Sequence, residues 1–476
     1  MAPQELPIDD LPIWARLNDV RFTNVRVVKS EGKGYGVICQ QSFDADDSGP
    51  DKPLLTVPHG LVLNEAAVEE YAKEDKNFKQ LLEAVGHRSP RADILLFLLV
   101  QTAIASRTGP SSTGVSNPWT EYLRFLPGTV LVPTLWNEDE RLLLRGTSLE
   151  SAVNAKMLAL DAEYEVVQDI SSDIPCWNEL LWESRTVSLR DWMRLDGLYR
   201  SRCLELPRSG ESMVPCIDML NHSSNATAYY EENAKDEVVL LLRPGVSISE
   251  GQEVTISYGD SKSAAEMLFS YGFIDPESLT QSLVLPLEPF DGDPLARAKL
   301  VSFGEAPRVR VARDADSTTW ESSFVHLMCV NEEDGLEFRV LQDTEGGRQL
   351  CVFWQDEDVT ARTKEFASLT QSHPLGTVFR LRAVTVVLEL LQAQLELARS
   401  YDVDTDLGDV RDECLEAARQ LRRIETDILQ SGIDALENER NSLLTDASVV
   451  AYLGSTETSG SDLAGEEAST EVDDFS

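Results

Sequence analysis

The chain is poor in features that mark several common protein classes. Its seven cysteines, at 39, 176, 203, 216, 329, 351 and 414, form no Cys-x-x-Cys pair and no Cys/His cluster. An odd, unpatterned set of this kind reads as reduced thiols in an intracellular protein and speaks against a zinc module, so no metal is expected. Long hydrophobic runs are missing. The longest, Ile94 to Val100, falls far short of the roughly 20 residues of a membrane span. Basic residues are scarce: 42 Lys and Arg stand against 82 Asp and Glu in 476 residues, a formal net charge of −40. Nucleic acids and anionic membranes need clustered cations to neutralise phosphate, so neither is expected as a partner. The first residues, MAPQELPIDDLPIW, are acidic and lack an apolar stretch, which fits neither a secretory signal nor a transit peptide. A nuclear or cytoplasmic location is expected. Walker and Gly-x-Ser-x-Gly motifs are absent too.

What remains is an ordinary globular composition, 42% apolar and 26% charged, over a length that suits two or three domains. Residues 20–60 read as short strands: RFTNVRVVKS, GYGVICQQSF and, after a polar loop at 44–53, PLLTVP. From Asn64 the apolar spacing turns helical through Ala66, Val68, Tyr71, Phe78, Leu81 and Leu82. A strongly apolar helix is expected from Asp93 to about Ser106, then a loop at 107–118. Helical patterns run with breaks from Glu138 to about Glu205. A second strand block follows in MVPCIDML, ATAYYEE, EVVLLLRP and QEVTISYG. Neither block alternates strand with helix as a doubly wound sheet does. After about residue 285 a separate unit begins irregularly and ends in two long helical patterns, Thr377–Ser400 and Asp409–Leu444. The stretch from Gly454 holds seven acidic residues and no basic one, the composition of a disordered tail.

Two stretches carry candidate chemistry. Glu31-Gly32-Lys33-Gly34-Tyr35-Gly36 follows a strand, but strand rather than helix comes after it, so no helix N-terminus awaits a dinucleotide pyrophosphate. Three glycines at alternate positions instead let the backbone approach a ligand closely, or simply shape a hairpin. Asp218-Met219-Leu220-Asn221-His222 ends the apolar run Met213 to Ile217, where polar side chains must be paired if buried. Ile256-Ser257-Tyr258-Gly259 ends a later strand, followed by Tyr271-Gly272-Phe273.

Together these motifs resemble those of the SET-domain protein methyltransferases, in the branch typified by Rubisco large-subunit methyltransferase. The others in the same order are Trp119 to Leu123, Leu126-Pro127, Leu144 to Thr147 and Ser184-Arg185. The resemblance covers about residues 25–275. It departs from the family at Ser263-Ala264-Ala265-Glu266, where the family has Asn in place of Ala264, and in a polar loop at 44–53 that is longer than usual.

The resemblance implies an α+β fold: a β-rich SET core at about 20–60 and 210–275, a helical insertion at about 64–205, and a mostly α-helical C-terminal domain. The corresponding divisions are an N-terminal extension at 1–19, a SET domain at 20–280, a substrate-binding domain at 285–453 and an acidic tail at 454–476. It also implies transfer of a methyl group from S-adenosylmethionine to a lysine amine of a protein. Glu31, Gly34, Tyr35 and Gly36 would border the methionine end of that cofactor, with Arg185 on its carboxylate. Asn221 and His222 would hold its other portions, in a turn ordered by Asp218, with Phe273 alongside. Tyr258 would be the catalytic residue, where cofactor and substrate channels meet. Ser184, Tyr271 and Phe273 would line the lysine channel. A phenol with pKa near 10 is a poor base at neutral pH, so positioning is its expected role.

Residues 291–476 carry 38 acidic and 17 basic side chains, which fits a basic protein substrate such as a ribosomal protein or a histone. A monomer is expected. Two other readings suit the same residues: a protein-histidine methyltransferase, and a non-catalytic SET-like scaffold for basic partners.

Overall fold

A computed structural model describes residues 3–30, 32–43, 52–107, 115–183, 187–314, 317–342, 347–401 and 408–454. The chain divides into two compact units. The first comprises Met1–Leu143, Leu149–Leu279 and Leu407–Ala418; the second comprises Leu144–Ser148, Thr280–Asp406 and Arg419–Ser476. Loop 44–53 and loop 107–118 lie largely outside the described residues, and all but Gly454 of the acidic tail does too.

Among the described residues ten short strands build the first unit: β1 (Arg21–Phe22), β2 (Val25–Ser30), β3 (Gly34–Cys39), β4 (Leu55–Val57), β5 (Cys203–Leu206), β6 (Gly210–Met213), β7 (Asn221–His222), β8 (Ala228–Glu232), β9 (Val238–Leu242) and β10 (Glu253–Ile256). They form a sheet of order β1-β4-β9-β8, a second of order β2-β3-β10-β7, and a β5–β6 ribbon. Every residue of β9 is buried, as its unbroken run Val-Val-Leu-Leu-Leu requires of a strand covered on both faces. Strand β10 is the hinge of the second sheet. It pairs antiparallel with β3 and parallel with β7, so that Thr255 faces Asn221 and Ile256 faces His222.

Helices cover these sheets. Ser89 caps Pro90–Ala105, accepting the Ala92 N–H, and every residue from Asp93 to Ala103 is buried. A helix apolar all round has no solvent face to offer and becomes the core. The N-terminal helix Leu11–Leu17 also contributes, with Leu11, Trp14 and Ala15 buried. Within Leu189–Arg202, Asp196 is fully buried and takes Arg91, Lys156 and Arg200 at 2.7, 3.0 and 2.7 Å. A charge removed from water in this way persists only because it is paired.

Two local expectations change. The insertion's last helix stops at Arg202, and Glu205 lies on β5 instead. Of MVPCIDML only Met213 is strand. Pro215 has no N–H to give a ladder and Cys216 takes φ +69°, so the chain turns into a 3-10 segment, Ile217–Met219.

The second unit contains the expected long helices, observed at Gly376–Ser400 and Asp412–Leu444, the latter from Arg419 onward. Where irregular chain was expected, two antiparallel sheets occur: β11 (Gln281–Pro286), β12 (Arg308–Arg313) and β13 (Thr318–Glu321), then β14 (Leu336–Gln342), β15 (Arg348–Trp354) and β16 (Glu357–Asp358). Their arginines and glutamates face outward while Leu285, Val309, Val311 and Val352 enter a core with Phe324, Phe366 and Phe379.

Glu140 is a buried charge of the first unit whose one ion-pair partner among the described residues is Arg411. Its fully buried carboxylate receives Arg411 Nε and Nη2 at 2.6 and 2.7 Å and the Asn137 N–H at 2.8 Å. Burial opposes ionisation, but the Arg411 and Asn137 hydrogen bonds win, holding its pKa at about 2. A depressed carboxylate pKa adds stability above the ordinary value, lost as pH falls towards 2. Arg411→Ala should cost about 3 kcal/mol, because it strands a buried carboxylate. It should also raise the midpoint of acid unfolding, followed by circular dichroism. An unchanged midpoint would contradict this.

Candidate active site

The site grows from the β7–β10 pairing. Parallel register sets His222 beside Ile256, two residues before Tyr258. The Tyr258 N–H donates to His222 Nδ1 at 3.1 Å, so that nitrogen is the unprotonated one. His222 Nε2 then donates to Asp275 at 3.2 Å. Burial opposes the charge on Asp275, but hydrogen bonds from the Ser224 hydroxyl, the Glu277 N–H and His222 hold its carboxyl below the usual range. The tautomer of His222 is thereby fixed from both sides of the ring.

Tyr258 turns its hydroxyl the other way and donates to the Leu220 carbonyl at 2.5 Å. Burial pushes its pKa well above the usual value, so the phenol remains a proton donor. The Tyr271 ring lies against it, centroids 4.5 Å apart, and burial pushes that phenol up to about 12. Phe273 stands 6.3 Å from both rings and 6.1 Å from His222. Gly272 makes this wall possible. It ends helix Ala264–Tyr271 at φ +83°, and a Cβ there would come within 2.7 Å of the Leu131 carbonyl carbon. Asn at position 264 is not needed for that helix to start: Ser263 and Glu266 close a capping box across the first turn.

The turn bearing Leu220 is held from beneath. The Tyr122 hydroxyl accepts the Cys216 N–H at 2.7 Å and donates to Asp218 Oδ1. Arg202 donates to the Asp218 carbonyl at 2.6 Å. Asp218 is buried, which lifts its pKa to about 6 against the pull of Arg202. Its Oδ1 shapes the turn through Tyr122, while Oδ2 is buried without a hydrogen bond, 3.7 Å from Arg202, and the residue borders the cavity beside Tyr258. Tyr122 and Arg202 had no assigned role from the sequence. The available signal was the demand of a buried Asp218 for partners.

On the other side of β10, the Asn221 side-chain amide donates to Glu253 at 2.6 Å, and Lys33 lies 3.6 Å from the same carboxylate. Gly36 on β3 packs directly over this pair. A Cβ would sit 2.4 Å from Glu253 Oε1 and 2.9 Å from Asn221 Nδ2. Next to it Tyr35 is half-buried, and burial, with Glu5 adding to it, raises its pKa. A Cβ on Gly34 would meet nothing, leaving the hairpin backbone open to a ligand. Glu31, Ser184 and Arg185 lie outside the described residues.

Beside Tyr258 opens a cavity of about 310 Å³, walled by Tyr199, Tyr230, Tyr258 and Tyr271 with Glu205 and Glu211. Among the described residues no three His, Cys, Asp or Glu gather as a metal site, and no helix is long and apolar enough to cross a membrane. A protonated phenol, a neutral imidazole and an aromatic wall can orient a guest and exclude water. They offer no activated nucleophile.

No family model matches the chain. It is 30% identical over 378 residues to SET domain-containing protein 8 of Schizosaccharomyces pombe, covering 78% of this chain and 82% of that one. The chain therefore belongs to the SET-domain methyltransferase family. Within it the chain fits the Rubisco large-subunit methyltransferase branch. The pea enzyme, ribulose-1,5 bisphosphate carboxylase/oxygenase large subunit N-methyltransferase of Pisum sativum, is 27% identical over 278 residues, 56% of this chain and 51% of that one. The fold matches the solved SET domain of LSMT bound to lysine and AdoHcy at TM-score 0.67 and 20% identity, over 92% of this chain and 93% of that one.

In Asp275→Ala the His222 ring should lose its fixed Nε2-protonated tautomer. Nitrogen-15 NMR of the imidazole should show one tautomer in the parent and a mixture in the variant. A mixture in both would contradict the geometry.

Proposed function

We propose that this chain transfers a methyl group from S-adenosylmethionine to a lysine side chain of a basic protein. The observation that carries this reading is the Tyr258 hydroxyl, held on Leu220 in a cavity that four tyrosines help to line. Support comes from relatives named as protein-lysine N-methyltransferases and from neighbours solved with AdoMet, AdoHcy or lysine.

S-adenosylmethionine, when bound, supplies a methyl carbon on a sulfonium that an amine displaces in line. The open hairpin backbone at Gly34 suits its methionine end, and Tyr35, Gly36, Asn221 and His222 border the same place. Glu31 and Arg185 would complete it, Arg185 by pairing with a carboxylate. Tyr258 and Tyr271, which line the cavity, align the amine, with the exposed Phe273 ring 6.3 Å from both. A desolvated aromatic channel disfavours ammonium, so the amine arrives neutral or gives its proton to water. Tyr258, firmly protonated, positions and does not abstract.

The domain reading follows: a SET domain at 20–280 and a substrate-binding domain at 285–453, with a ribosomal protein or histone as the class of substrate. The acidic excess of 291–476 supports a basic partner, met in the nucleus or cytoplasm.

Tyr258→Phe should lower methyl transfer about a hundred-fold or more while calorimetry finds S-adenosylmethionine binding intact. Full activity in that variant would remove the assignment. Arg185→Ala should weaken cofactor binding at least about ten-fold, since it deletes a charged hydrogen bond. An unchanged dissociation constant would exclude Arg185 from the site.

A further inference from the structure

The β5–β6 ribbon presents an arrangement that the transfer reaction itself does not explain. Glu205 and Glu211 are register partners across the ribbon, so their side chains leave the same face directly opposite one another. Both are exposed, and both border the cavity that contains Tyr258 and Tyr271. Glu211 is oriented by the Tyr199 hydroxyl, which donates to it at 3.1 Å. Like charges opposite each other weaken a strand pair, and a ribbon of four residues a side has little stability to spare. The cations nearby do not relieve the repulsion. Arg202 is committed to Asp218, and Lys262, which also borders the cavity, folds back over Gly259. Among the described residues neither glutamate has an ion-pair partner within 4.0 Å.

These carboxylates are unsuited to the reacting amine. A negative charge beside it would hold it as ammonium and slow the displacement. They suit a second cation a short distance along the same polypeptide. We propose that Glu205 and Glu211 form a specificity element for a lysine or arginine close in sequence to the acceptor, so that the substrates are segments with paired basic residues. This rests on the cavity being the acceptor channel. The charge requirement is local: it comes from two placed carboxylates and adds to any general attraction by the acidic surface.

The test uses the full chain, S-adenosylmethionine and a positional-scanning library of lysine-centred peptides. In the parent, a basic residue at one favoured flanking position should raise kcat/KM about five-fold over alanine, the scale of a partly exposed ion pair. In Glu205→Gln/Glu211→Gln that ratio should fall to about one. Glu211→Lys should invert it in favour of acidic flanks. A ratio unaltered by the glutamine pair would overturn the proposal. So would an equal loss on every peptide, because that would assign the glutamates to capture of the acceptor. Failure of the underlying reading looks different: no lysine peptide is labelled, or Tyr258→Phe labels them as well as the parent.

Discussion

The site depends on one short crossing, where Tyr258 is tied by its N–H to His222 and by its hydroxyl to Leu220. Both partners belong to the segment 216–222, and both bonds require β7 to run parallel to β10 in the observed register. A slip by one residue would turn His222 to the opposite face and leave the Tyr258 N–H without its acceptor. The supports behind the crossing are polar: buried Tyr122 and Asp218 with half-buried Arg202 below it, and half-buried Asp275 beyond the imidazole. Asp218 Oδ2 and Arg202 Nε are buried without a hydrogen-bond partner, so this network is incomplete, and the bonds that are made are what tie the crossing down. Rigidity is what an in-line displacement asks of its scaffold, because alignment supplies much of the rate.

Much of this was legible from residue order. The glycine hairpin, the Asn221-His222 stretch, Tyr258 and the Tyr271–Phe273 wall were all marked by motif, and the structure brings them into one neighbourhood. The supports were less visible because they are long-range. Nothing local in Trp119-Thr120-Glu121-Tyr122 announces a hydroxyl reaching Asp218 some 96 positions away. The β-sheets at 281–358 were missed for a related reason. Strands such as Arg-Val-Arg-Val-Ala-Arg alternate apolar with charged side chains and are short, so the pattern competes with irregular chain until pairing is known. The C-terminal helices were plain because a 3.6-residue period repeated over many turns leaves little ambiguity.

Charge enters at two scales. The net −40 is spread along the chain and, under the proposed function, would favour encounters with basic proteins, an effect that salt would screen. Glu205 and Glu211 act within reach of the cavity, where position matters more than total charge. Separating the two scales also explains how so acidic a chain can run a reaction that needs a neutral amine. The rings of Tyr271, His222 and Phe273 stand 4.5, 5.2 and 6.3 Å from that of Tyr258, while Glu205 and Glu211 reach the cavity from the β5–β6 ribbon.

The most direct test of the whole account is to incubate the purified chain with labelled S-adenosylmethionine and a fractionated cell extract, then map the label by mass spectrometry. The account predicts methyl groups on lysine side-chain amines of basic proteins. Label on histidine alone, or none on any protein in any fraction, would contradict it.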